Sequence, residues 1–236
     1  MKSRLSVAAW AAVLLLVACA APSGEGYLLM FNEKDAVTDF SPTRMIVTAA
    51  YLRIDEGPAS DGFVLFDRRA RTIYSVSDED KTILVIEEQA GDFAPPKGLE
   101  HRVEEVPLEG APAVGGRKVR HYNLYTNERR CYELFAVEGL LEEPRRALEE
   151  YRRVLAQEHA QVASLTPADM QDQCDLANNV LLPARHLAHG FPIRMQDVFG
   201  RVRNLQDYDV HYRPDPALFV LPAGYRRYTP AEMRGG

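Results

Sequence analysis

A train of short β-branched and aromatic runs most constrains what this 236-residue chain can fold into. Apolar runs fall at 27–31, 45–54, 63–66, 72–76 and 82–86, then at 103–108, 118–125 and 131–137. Polar punctuation separates them, as at Asp55-Glu56-Gly57-Pro58, at 67–71 and at Ser77-Asp78-Glu79-Asp80. Strands of this length at this spacing predict an antiparallel meander. Gly115-Gly116 and Thr126-Asn127 supply turn residues that tolerate positive φ.

The pattern changes at Gly139. Leu141, Leu148, Tyr151, Leu155 and Val162 recur at helical spacing and predict one apolar face. Glu142/Arg146 and Glu149/Arg153 sit at i,i+4 and mark the other face as a solvated helix surface. Thr166 as N-cap and Pro167 at the first helical position predict a second helix. Asp169 favours its first turn; a run to Asn178 places Cys174 inside it. Strand character returns at 191–195, 198–212 and 219–221. The expected fold class is therefore α+β. Residues 27–236 form a single domain with a helical insertion at about 140–190, and no internal repeat or interdomain linker interrupts them.

The N-terminus carries a different message. Lys2 and Arg4 precede an apolar run from Val7 to Ala18, which closes on Leu16-Val17-Ala18-Cys19. As a helix, residues 5–18 rise about 21 Å, short of the roughly 30 Å hydrocarbon core of a bilayer. A charged start, a short apolar centre and small residues at the end mark a secretory leader. The segment resembles a bacterial lipoprotein signal peptide. That resemblance implies cleavage after residue 18 and acylation of Cys19, with three acyl chains in all. One chain binds a bilayer marginally, whereas several hold firmly. Ala20 after the cysteine implies delivery to the outer membrane, on its periplasmic face. Residues 19–26 then form a short tether, with at most about 25 Å of reach between Ala20 and Gly26. An ordinary leader cut near Ala18-Cys19-Ala20, without lipid, is the alternative.

Cleavage would leave 236 − 18 = 218 residues and remove Lys2 and Arg4. The balance becomes 26 basic against 34 acidic residues, a net charge near −8. That balance disfavours nucleic acid and offers no pull toward anionic lipid. With Cys19 acylated, Cys131 and Cys174 remain as an even pair in an oxidising compartment, which favours a disulfide. Two buried free thiols are the alternative.

No reaction chemistry stands out. His186 and His189 have i,i+3 spacing and His211 could complete a set, but Pro183 and Gly190-Phe191-Pro192 confine the pair to a brief turn. Solvated or hydrogen-bonded loop histidines are expected there, without metal. No Gly-x-Ser-x-Gly elbow, phosphate-cradling loop or dinucleotide fingerprint occurs. Adjacent carboxylates such as Glu87/Glu88 and Glu104/Glu105 point to opposite faces of a strand. The expectation is a non-enzymatic protein without a cofactor.

Aromatic residues are more suggestive. Tyr51, Phe63, Phe66 and Tyr74, with Tyr122, Tyr125 and Phe135, fall on successive predicted strands. The first four are candidates to line a concave side that accepts an acyl chain, since burying methylene groups is favourable and non-directional. Helices that fill that side and leave a dry core are the other reading.

The stretch Leu52-Arg53-Ile54-Asp55, Gly62-Phe63-Val64-Leu65-Phe66-Asp67, Thr72-Ile73-Tyr74-Ser75-Val76 and Lys81-Thr82-Ile83 resembles the opening meander of LolA/LolB-type lipoprotein-localisation domains. The ending Leu218-Phe219-Val220-Leu221-Pro222-Ala223-Gly224-Tyr225 is similar to their close. The resemblance implies an incomplete antiparallel β-barrel, or strongly curved sheet, covered by two or three helices. It also implies an envelope protein that binds a lipid, an acyl chain or a lipidated partner. A protein–protein interaction module with a filled core is the alternative function, and an envelope hydrolase a more remote one.

Overall fold

The computed structural model describes residues 24–89 and 98–235, so the expected leader and Cys19 lie outside the described residues. Strands β1 (Gly26–Lys34), β2 (Ser41–Val47), β3 (Tyr51–Asp55), β4 (Gly62–Asp67), β5 (Thr72–Ser77) and β6 (Thr82–Glu87) form one antiparallel meander. Strands β7 (His101–Val106), β8 (Val119–Thr126), β9 (Arg129–Val137), β10 (Phe191–Asp197) and β11 (Val202–Tyr212) form a second. Pairing of β1 with β11 joins the two, and β12 (Arg226–Tyr228) adds to β6 in parallel. The result is a curved twelve-stranded sheet with β12 and β7 as its edges, and it does not close into a barrel.

Turn chemistry divides one expected strand into two. Residues 45–54 read as a single run, but the Thr48 hydroxyl accepts the N–H groups of Ala50 (3.3 Å) and Tyr51 (3.0 Å). Thr48 N–H also donates to Tyr51 O at 2.8 Å, which closes a tight hairpin between β2 and β3. A threonine that bonds its own backbone two or three residues on competes with a continuing strand. Here the local bond wins.

Helix α1 (Glu142–Leu165) lies against the concave face. Pro144, Ala147, Leu148 and Val154 are buried at i, i+3, i+4 and i+10, with Tyr151 and Leu155 packed beside them. They meet Leu52, Phe66, Ile73 and Ile86, which are cross-strand partners on β3 to β6 and therefore share one face. Val162, expected on this face, is exposed. The helix charges also pair differently from the expected i,i+4 set: Arg145 bonds Glu142 and Glu149, and Arg146 bonds Glu143. Glu143 and Glu150 turn inward to hold Arg68 of the β4–β5 turn, at 2.6 and 2.7 Å. That part of the charged run is a structural tie, not solvated surface.

The second expected helix does not start at Thr166. That residue ends α1, and after a short turn Asp172 caps a single turn, α2 (Gln173–Asp175), by accepting from Cys174 and Asp175 N–H at 2.9 Å. Wider turns follow over Leu176–Leu181, with Leu182 N–H reaching five residues back to Ala177 O. Cys174 bonds Cys131 of β9, so a disulfide fastens this segment to the sheet. Gly190 then lets the chain turn into β10 with φ of 109° beside the backbone of Val137.

On the convex face, Ile46, Leu65, Val76 and Ile83 are buried too. The chain returns over this side after β11. Residues 219–221, expected as a strand, instead begin in a helical turn (Pro216–Phe219) capped by Asp215. Phe219 stacks on Tyr51 at 5.1 Å, Arg53 donates to Leu218 O at 2.6 Å, and the Tyr225 hydroxyl donates to Asp78 at 2.6 Å. A capping box between Thr229 and Glu232 then starts α3 (Pro230–Gly235). Near this return, the buried Asp55 carboxylate accepts two bonds from Arg44 (2.8 and 2.9 Å), one from Arg53 (2.6 Å) and one from Gly57 N–H (2.9 Å). Burial disfavours its charge, but these donors more than offset that and hold the carboxyl below its ordinary range. No described helix is long and apolar enough to cross a membrane.

Candidate functional site

The four aromatic residues expected to line one side do not share it. Strand alternation and register put Phe66 toward α1, fully buried and edge-on to Tyr151 with ring centroids 5.9 Å apart. Tyr51, Phe63 and Tyr74 point to the convex face, as cross-strand partners of Asp67, Val76 and Leu65. Tyr51 is covered by Phe219, and Arg53 lies 3.7 Å over the Phe63 ring. Phe66 thus sits in a buried apolar cluster with Leu52, Ile73 and Ile86 of the sheet and Leu148 and Tyr151 of α1.

A cleft of about 500 Å³ adjoins this cluster between α1 and the strands. Ile54 and Val64 of the sheet and Leu148, Tyr151 and Leu155 of α1 supply apolar wall. Tyr132 and Met195, with His186 from the turn Arg185–Leu187, lie at the second meander. Glu33, Lys34, Asp35 and Thr38 of the β1–β2 hairpin also line it. Burial raises the Tyr132 and Tyr151 phenols above their ordinary range, so both keep their protons at neutral pH.

His186 departs from expectation. It is not a solvated loop residue but is 6% exposed, tilted against Tyr132 at 5.4 Å between ring centroids. Its Nδ1 is buried without a hydrogen-bond partner. Burial holds the imidazole well below its usual range, and the nearby Arg152, Arg203 and Arg185 push the same way, so it is neutral. His189 stacks instead on Tyr122, and His211 lies far along β11. Among the described residues, no three His, Cys, Asp or Glu side chains converge as metal ligands would.

Two arginines, Arg152 in the cleft wall and Arg185 beside His186, carry no distinguishing mark in the sequence. Arg152 of α1 donates to Asn178 O (3.2 Å), Pro183 O (3.2 Å) and Asn179 Oδ1 (2.7 Å). Arg185 donates to Asn178 Oδ1, Tyr125 O and Thr126 Oγ1, and burial lowers its pKa to about 10. Neither is bonded to a carboxylate among the described residues. By contrast Arg203 sits 2.6 Å from Glu33, and Arg201 sits 2.5 Å from Asp197. Only the fold could reveal this, because arginines at 152 and 185 look like their paired neighbours until their partners are known.

Beside the cleft a second hollow of about 650 Å³ opens, sharing Asp35 and Arg201 with it. Val37, Val162, Met170 and Phe199 line this hollow and are 94%, 47%, 73% and 40% exposed, an apolar apron on a protein otherwise rich in surface charge.

No protein family matches the chain, and no curated protein does. Among solved structures, an uncharacterized conserved protein from Thermus thermophilus aligns with a TM-score of 0.44 and 9% identity, over 87% of this chain and 90% of that one. Two structures of PNGF-II, in C2 and P21 crystals, align with TM-scores of 0.41 and 0.40 at 8% and 7% identity. They cover 90% of this chain, which spans about a third of PNGF-II (32% and 33%). Likeness this distant carries nothing about activity.

Proposed function

We propose that the protein is a lipid-anchored, periplasm-facing protein of the outer membrane that binds the apolar chain of a lipid or lipidated partner beneath α1, without catalysing a reaction. The observation that carries this reading is the cleft between α1 and the concave sheet. Its volume of about 500 Å³ falls within the roughly 300–1,000 Å³ of small-molecule sites. Its mixed wall suits an amphiphile, and the apolar apron beside it offers a chain somewhere to lie on the way in. Acylation at Cys19 supplies location: a tether ending at Gly26 holds the folded domain at the bilayer surface.

The test uses protein purified from envelope. Native mass spectrometry should show co-purified lipid, and N-phenyl-1-naphthylamine should gain fluorescence on binding. Leu155→Trp, which fills the cleft, should abolish that gain while the fold survives by circular dichroism. A protein that is empty and takes up no dye ends this reading. Intact mass should show a chain trimmed before Cys19 and carrying acyl groups; an unlipidated mature chain removes the anchor.

The exposed apron favours one alternative, an interaction module whose Val37, Met170 and Phe199 dock an envelope protein. Cross-linking from position 170 that traps one dominant protein, with no lipid bound, would support it.

A further inference from the structure

We infer that the cleft contains an oxyanion site at Arg152 and His186, so that its ligand is an amphiphile with a carboxylate or phosphate head. This rests on the cleft being the binding site, and adds the chemical class of what enters.

The argument is one of charge balance. Four carboxylates (Glu33, Asp35, Glu56, Asp197) and four cations (Lys34, Arg152, Arg201, Arg203) line the cleft, so the balance is local rather than net: among the described residues no carboxylate bonds Arg152. Glu33 is matched by Arg203 and Asp197 by Arg201, while Asp35 and Glu56 are exposed to solvent. Arg152 is met only by neutral oxygens, which take up its Nε and Nη2 and leave Nη1 out of these bonds. Arg185, directly before His186 in the chain, is held by Asn178, Tyr125 and Thr126 outside the cleft lining, so Arg152 is the cation of the site. Arg152 is half-buried, and a guanidinium prefers a planar oxyanion over carbonyl groups.

His186 completes the set. With Nδ1 enclosed and unpartnered, the less costly tautomer leaves a lone pair there and puts the proton on Nε2. A neutral imidazole with Nε2–H as its donor is suited to an anion and offers no second positive charge to be desolvated. The un-ionised Tyr132 and Tyr151 hydroxyls are further donors lining the same space. The apolar wall of Ile54, Val64, Leu148 and Leu155 is left for the tail.

Titration calorimetry of the full-length mature protein with decanoate, decyl phosphate and decanol tests this directly. Hydrogen bonds to a charged partner make the preferred anion at least about tenfold tighter than the alcohol. Whichever of the two anions binds tighter identifies the head group. Arg152→Gln should bring anion affinity down to that of decanol and leave decanol binding unchanged, whereas Arg152→Lys should keep part of the preference. If decanol binds as tightly as both anions, the oxyanion site is refuted while the apolar cleft stands. If none of the three binds, both fall. Because the comparison is made on the unaltered protein, a variant that fails to fold does not decide the outcome.

Discussion

Replacing Asp55 by Asn tests the reading of the β2–β3 junction most sharply. The carboxylate accepts four bonds at 2.6–2.9 Å, three of them from Arg44 and Arg53. Asn keeps the volume but turns one oxygen into an NH2 group. In the observed orientation that group meets the guanidinium donors on Oδ2, so two bonds are lost and two cations stay close together unneutralised. Removing one partner of a buried ion pair costs about 3–5 kcal/mol. Arg44 and Arg53 retain 15% and 11% side-chain exposure, which favours the lower figure of about 3 kcal/mol. For a chain of this size each kcal/mol moves Tm by about 2–4 °C, so melting at pH 7 should fall by about 6–12 °C. The pH dependence has a definite sign. The folded carboxyl titrates below its unfolded value of about 3.9, so its stabilisation is present above that pH and is lost as pH falls through the lower, folded value. The gap between wild type and Asp55→Asn should therefore close on acidification. A Tm within about 2 °C of wild type at pH 7, or a gap that widens in acid, would refute this account.

Two further substitutions probe the helical segment. Cys131→Ser with Cys174→Ser opens a loop of 43 residues. The chain-entropy model assigns that opening about 4 kcal/mol; melting with and without reductant should show the same drop in wild type as the double variant does, and no response to reductant contradicts it. Gly190→Ala would place a Cβ 2.5 Å from Val137 O at φ of 109°. Backbone atoms cannot yield as side-chain tips do, so the cost should reach about 2 kcal/mol or more; an unchanged unfolding midpoint in urea would show that the turn relaxes freely.

Much of the sheet is legible in the sequence because alternation and turn residues are local signals. Asp67 to Arg71, Ser77 to Asp80 and Thr126-Asn127 mark turns where they occur, between β4 and β5, β5 and β6, and β8 and β9. The errors have physical causes. Thr48 folds back on its own backbone inside an apolar run, which no hydrophobic count detects. Asp172 caps more effectively than Thr166, since its carboxylate accepts two N–H groups. Phe219 looks like strand because it is apolar, yet its partner is an exposed-side tyrosine 168 positions earlier. The same problem scattered the aromatic candidates, because assigning Tyr51 and Phe66 to a face needs the register of each hairpin. The cysteine pair was accessible by counting alone. Arg152 was not, since what sets it apart is that no carboxylate bonds it among the described residues; the spacing of His186 was legible, but its burial and unpartnered Nδ1 were not.

The pairing of β1 with β11 has a consequence for how the protein comes into being. Gly26 finds its partner only at Tyr212, so a chain made from its N-terminus carries one flank of its first strand bare until nearly all the rest has emerged. Until then two half-sheets exist with matching raw margins, and a neighbouring molecule in the same condition offers the same margin as the chain's own late arrival. Domain-swapped dimers joined along this line, more than loss of core packing, are the misassembly to expect when the protein is produced at high concentration.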